Sequence, residues 1–187
     1  MASRFPAWPA LTFLLAAPPV VAQAPPATQS GGVQPPPAAA MPGPVAQGPT
    51  AVSVEHTPPA CVLAGQFIHL EATAKPAEKA QQGRVYFHAE GEPHWYYIDM
   101  QRAGASFAAT LPKPEKTTRG VRYYVEIVDA EYHVGRTPEN APAVVATTAA
   151  CGGKPVAKTT PSATIELYLP PAAPPVPPGF LGDGIKQ

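Results

Sequence analysis

Apolar and polar residues alternate with period two through the middle of this chain, and no stretch shows the 3.6-residue spacing of a helix. From Gln66 to Ala74, Ile68, Leu70, Ala72 and Ala74 point one way while Phe67, His69, Glu71 and Thr73 point the other. Arg84 to His88 is short, aromatic and β-branched, with Val85 and Phe87 on one face. Trp95 to Met100 forms a third unit, and Ser106 to Leu111 a fourth with Phe107, Ala109 and Leu111 aligned. Val121 to Val128 alternates most strongly: Val121, Tyr123, Val125 and Ile127 inward, Arg122, Tyr124, Glu126 and Val128 outward. Such alternation, bounded by Gly- and Pro-bearing turns such as Gly91-Glu92-Pro93 and Lys113-Pro114-Glu115-Lys116, predicts strands. Weaker strands are expected at Ala51 to Glu55 and Ala143 to Thr147, with a late one at Thr164 to Leu169. About seven short antiparallel strands in roughly 100 residues predict an all-β fold, an antiparallel β-sandwich.

Composition limits the sandwich to the middle of the chain. Proline makes up 28 of the 187 residues, about three times ordinary usage. Only Pro76, Pro93, Pro112, Pro114, Pro138 and Pro142 fall between Cys61 and Cys151, and no charged residue lies between Arg4 and Glu55. Residues 23–50 therefore read as a Pro/Ala/Gln-rich linker, and 152–187 as a Pro-rich tail carrying the short strand at 164–169. Segments of this composition bury too little apolar surface to offset their ordering entropy, so both flanks are expected to be disordered. An extended linker of this kind reaches up to roughly 100 Å at about 3.1 Å per residue. For the last apolar residues, Phe180, Leu181 and Ile185, docking and fraying are both open.

The first 22 residues have the layout of an export leader. Arg4 is a short positive region, Leu11 to Ala17 an apolar core, and Val20-Val21-Ala22 offers small residues where a signal peptidase cuts. Cleavage is expected after Ala22; an uncleaved anchor is the other reading. No later segment approaches membrane-spanning length, so the mature chain is expected to lack a transmembrane segment and to be periplasmic or extracellular.

The succession Arg84-Val85-Tyr86-Phe87, Tyr97-Ile98-Asp99-Met100, Phe107 to Pro112 and Val121 to Asp129 resembles an immunoglobulin-like or fibronectin-III-like domain of exported bacterial proteins. The resemblance covers Ala51 to Thr148 and implies that the Tyr123-Tyr124-Val125-Glu126 strand is the penultimate one, followed by a hairpin. Here that hairpin, Asp129 to Gly135, is longer than the usual Asp-x-x-Gly. The resemblance implies an immunoglobulin-like β-sandwich at 51–151 and no particular activity, because such sandwiches host many unrelated roles.

The two cysteines, Cys61 and Cys151, flank the strong strands, and an even count in an exported chain favours a disulfide. It would clamp the ends of the domain and stabilise it by about 4 to 5 kcal/mol in the chain-entropy account. Two free thiols and a bridge between chains are the alternatives.

Candidate chemistry is sparse. Lys plus Arg and Asp plus Glu both number 13, so the surface lacks the positive excess that phosphate backbones require, and no nucleic-acid partner is expected. His56, His69, His88, His94 and His133 show no metal-ligand spacing with a carboxylate. His69 and His88 lie on outward faces and could meet on adjacent strands, or could simply be solvated. No Gly-x-Ser-x-Gly elbow and no phosphate loop occurs, so no catalytic residues, cofactor or metal are assigned. The expected role is a non-catalytic module of the bacterial cell envelope that is structural or binds an envelope protein. The alternative is a carbohydrate-binding module. For that, Trp95 and Tyr97 are the candidate stacking residues, two positions apart on one strand face at roughly 7 Å; the other register buries Trp95 and removes the platform.

Overall fold

The computed structural model describes residues 52–186. The expected leader and the linker at 23–50 lie outside the described residues. The fold is an antiparallel β-sandwich whose strands follow the alternation in the sequence. The first layer holds β1 (Ser53–Glu55), β3 (Phe67–Lys75) and β6 (Ser106–Leu111), with β10 (Lys158–Thr160) sharing the β1 edge of β3. The second holds β4 (Ala80–Ala89), β7 (Val121–Asp129) and β8 (Val134–Arg136). β5 (Tyr96–Ala103) belongs to both: Tyr96 to Met100 pair with β4, while Gln101 to Ala103 pair with β6.

The inward faces meet in one apolar core. Leu70, Ala72, Phe107 and Leu111 come from the first layer, and Val85, Phe87, Tyr96, Tyr123, Val125 and Ile127 from the second; all are buried. Each fully buried side chain of this size contributes about 1.5 to 3 kcal/mol. On the far side the layers close through β1 and β8. Gly135 sits so close to the carbonyl of Val52 that no side chain fits there.

Two short parallel pairings were not expected. β2 (Cys61–Leu63) pairs with β9 (Ala143–Val145). β11 (Ile165–Glu166), inside the predicted 164–169 strand, pairs with β12 (Ile185–Lys186). A 3-10 turn (Thr148–Cys151) ends in Cys151, which forms a disulfide with Cys61 across a separation of 90 residues. The bridge is within the chain and fastens the segment after β9 to β2. No helix among the described residues is long and apolar enough to cross a membrane.

The expectation of a disordered Pro-rich tail is corrected for 152–186. Ile165, Leu167 and Phe180 are buried and belong to the core. Phe180 meets Phe87 edge to face, with ring centroids 5.2 Å apart. The Tyr96 hydroxyl donates to the Pro174 carbonyl at 3.1 Å, and the Leu181 amide to the Lys113 carbonyl at 2.8 Å. The prolines limit this segment's freedom before folding, so ordering it costs less, and three buried apolar side chains hold it down. Along β5 the tail supplies a bridge at Tyr97 and Tyr168, so the late strand pairs within its own chain.

Candidate functional site

The outward face of the second layer carries three cross-strand rungs. Period two puts Arg84, Tyr86 and His88 of β4 on this face, with Trp95, Tyr97 and Asp99 along β5 and Arg122, Tyr124 and Glu126 of β7. The register then aligns them: Arg84 is opposite Glu126 and Asp99, Tyr86 opposite Tyr124 and Tyr97, and His88 opposite Arg122.

The middle rung is four tyrosines wide. Tyr124 and Tyr86 stack at 4.9 Å with planes 13° apart, and Tyr86 and Tyr97 are tilted at 5.3 Å. Tyr168 of the tail completes it, stacked on Tyr97 at 4.7 Å and 3°. Guanidinium groups cover the rung at two points: Arg136 lies 3.4 Å from the Tyr124 centroid and Arg84 lies 5.0 Å from that of Tyr97. Aromatic pairs on neighbouring strands and guanidinium contacts each contribute on the order of 0.5 to 1 kcal/mol. Burial pushes the phenols of Tyr86 and Tyr124 up, so these two stay neutral across the physiological range.

Ion pairs frame this rung. On one side Arg84 Nε donates to Asp99 Oδ1 at 3.2 Å, joined by Gln82 Nε2 at 3.1 Å. On the other side Arg122 pairs with Glu139 at 2.7 Å and Glu90 at 3.7 Å. There the His88 ring meets Trp95 at 4.2 Å, and Trp95 leans on Tyr124 at 4.9 Å. His88 is buried, and its Nδ1 has no hydrogen-bond partner among the described residues.

The two candidate stacking residues are placed as the alternation predicts: Tyr96, Ile98 and Met100 are buried, and Trp95 and Tyr97 lie outward, half-buried. They do not present two open ring faces, because Tyr97 is covered by Tyr168 and Trp95 packs against His88 and Tyr124. Sequence reasoning missed Tyr86, Tyr124 and Tyr168 as members of one row. The outward positions of the first two were legible, but the strand register that aligns them was not.

His69 and His88 are not neighbours: β3 and β4 belong to different layers, so these residues cannot share a metal. Asp129, Glu131 and His133 bring ligand atoms within 4.8 Å of one another. Both oxygens of Asp129 are already engaged, Oδ1 by the amides of Glu131 and His133 and Oδ2 by His133 Nδ1 at 3.0 Å. This trio organises the β7–β8 hairpin. His56 Nδ1 lies 2.6 Å from the Glu71 carbonyl and so must donate to it. In the neutral ring Nε2 then accepts from the Tyr123 hydroxyl at 2.7 Å, a bond that satisfies a buried phenol raised by burial.

No protein-family model matches this chain, and no curated protein matches it either.

Proposed function

We propose that this chain is an exported, non-catalytic, immunoglobulin-like β-sandwich that acts as a structural or protein-interaction module of the bacterial cell envelope. The pairing of β3 with β6 and β4 with β7 supports the immunoglobulin-like reading, since it matches the B–E and C–F pairings of that architecture. The leader-like start and the disulfide support export.

The observation that carries the interaction role is the four-tyrosine rung with Arg84, Arg136 and Trp95 around it. Tyr, Trp and Arg supply most of the binding energy at protein interfaces. Here their rings are fixed before any partner arrives, so little side-chain entropy is left to lose. The same stacking weighs against a sugar platform at Trp95 and Tyr97, because a pyranose needs an open ring face. The test is capture from a native envelope fraction by the intact chain and by an Arg136→Ala/Trp95→Ala double variant. A protein retained by the first and lost by the folded second supports the reading. Capture of no protein, or capture indifferent to the substitutions, overturns it.

A further inference from the structure

A groove that borders the tyrosine face and shares Tyr168 and Asp99 with it lies where β5 leaves β6 to join β4. The tail runs along the parted strand: Ile165 and Leu167 plug the core, while Glu166 and Tyr168 stay outside. Between tail, β5 and β6 the groove has a volume of about 590 Å³, with Asp99, Gln101, Thr110, Ser162, Glu166 and Tyr168 in its walls. We propose that this groove binds a short neutral or N-acetylated oligosaccharide.

The volume lies within the range of small-molecule sites, about 300 to 1,000 Å³. The chemistry of the walls sets the ligand class. An amide and two hydroxyls both donate and accept, as sugar hydroxyls do. Two carboxylates accept strong, charge-assisted bonds from hydroxyl donors. One aromatic ring offers an apolar surface for the C–H face of a pyranose. An apolar ligand would leave these polar groups unpaired, at about 1 to 3 kcal/mol each.

The groups are held in place before binding. Tyr168 spends one ring face on Tyr97 and is pinned by main-chain bonds in both directions, of 3.2 and 3.0 Å. It keeps 36% of its surface exposed. Asp99 is fixed from behind by Gln82 and Arg84. Glu166 stands outward because its neighbour Ile165 is buried, and register places it beside Lys186. The carboxylates of Asp99 and Glu166 are close enough to the Tyr168 phenol to push it up. Against Asp99 and Glu166 the groove's lining holds one lysine, Lys186, so it is net acidic; that disfavours uronic acids and phosphorylated sugars and restricts the class to neutral and N-acetylated ones. Tyr168 and Asp99 belong to both surfaces, but the protein contact is tested at Arg136 and Trp95, which do not line the groove, so the two proposals fail separately.

The test is ligand-observed NMR on the intact chain with maltotriose, cellotriose and di-N-acetylchitobiose, and with digalacturonate and trilysine as charged controls. At least one of the first three is expected to bind with a Kd below about 1 mM. Glu166→Gln should weaken that binding about tenfold or more, and Ser162→Trp, which fills the groove from an exposed position, should abolish it. Amide shifts of Gln101 and Thr110 should move on titration, and Arg136→Ala should change nothing. The proposal is overturned if none of the three binds at about 10 mM, if digalacturonate or trilysine binds more tightly, or if binding survives Ser162→Trp in a folded protein.

Discussion

Tyr168 lies flat on Tyr97, ring planes 3° and centroids 4.7 Å apart, and the two residues exchange both main-chain hydrogen bonds. The contact bridges the Pro-rich tail to β5 in the second layer. It also extends a tyrosine row that β4, β5 and β7 begin, and it forms one wall of the groove beside it.

Removing the tail should therefore cost stability. A chain ending at Leu169 loses Phe180 from the core and is expected to melt well below the full chain. Phe180→Ala alone should cost about 3 to 5 kcal/mol. Urea unfolding measures both, and a change within a few tenths of a kcal/mol would show that the tail does not pack.

The Cys61–Cys151 bridge stabilises mainly by restricting the unfolded chain, since it closes a long loop. Cys151→Ser should lower stability by about 2 to 5 kcal/mol while the far-ultraviolet spectrum stays that of a β protein. Alkylation of the unreduced chain followed by mass spectrometry should find no free thiol.

Asp129 should give the hairpin an acid-sensitive component. Burial pushes its carboxyl up, but the amide and imidazole of His133 and the amide of Glu131 outweigh this and hold it below the ordinary value. A lowered folded pKa means the contribution is complete above the unfolded value of about 3.9 and is lost as pH falls through the folded one. Asp129→Asn should flatten the stability profile below about pH 4. Unfolding midpoints of both proteins near pH 3 and pH 7 check this; parallel profiles would sink it.

His88 carries a buried ring nitrogen without a partner. His88→Phe keeps the edge contact to Trp95 and removes the unpaired atom, which costs about 1 to 3 kcal/mol where it stays unsatisfied. The expected outcome is a neutral or stabilising change in denaturant midpoint. A large destabilisation would mean that Nδ1 is satisfied in solution.

Trp95 is half-buried, resting on His88 and Tyr124. Trp95→Ala should cost about 1 to 2 kcal/mol, less than the 3 to 5 typical of a core Trp. A loss in the upper range would place Trp95 in the core after all.

The sequence alone determined the strands and their faces. Period two is local: it set Val85 and Phe87 on one face, and Trp95 and Tyr97 opposite Tyr96, Ile98 and Met100, without knowledge of any neighbour, and the structure decided that Trp95 and Tyr97 face outward. The two cysteines likewise marked the ends that the disulfide joins. Which outward residues touch was a matter of register. Tyr124, Tyr86, Tyr97 and Tyr168 are far apart in sequence, and a slip of two residues would have set Glu126 or Asp99 opposite Tyr86 instead. Composition also misplaced the tail, because it counts prolines and not the seam that Ile165, Leu167 and Phe180 fill. That seam exists only once β5 has divided itself between two layers, so only the tertiary structure could decide that a Pro-rich segment would fold, and that a groove would form beside it.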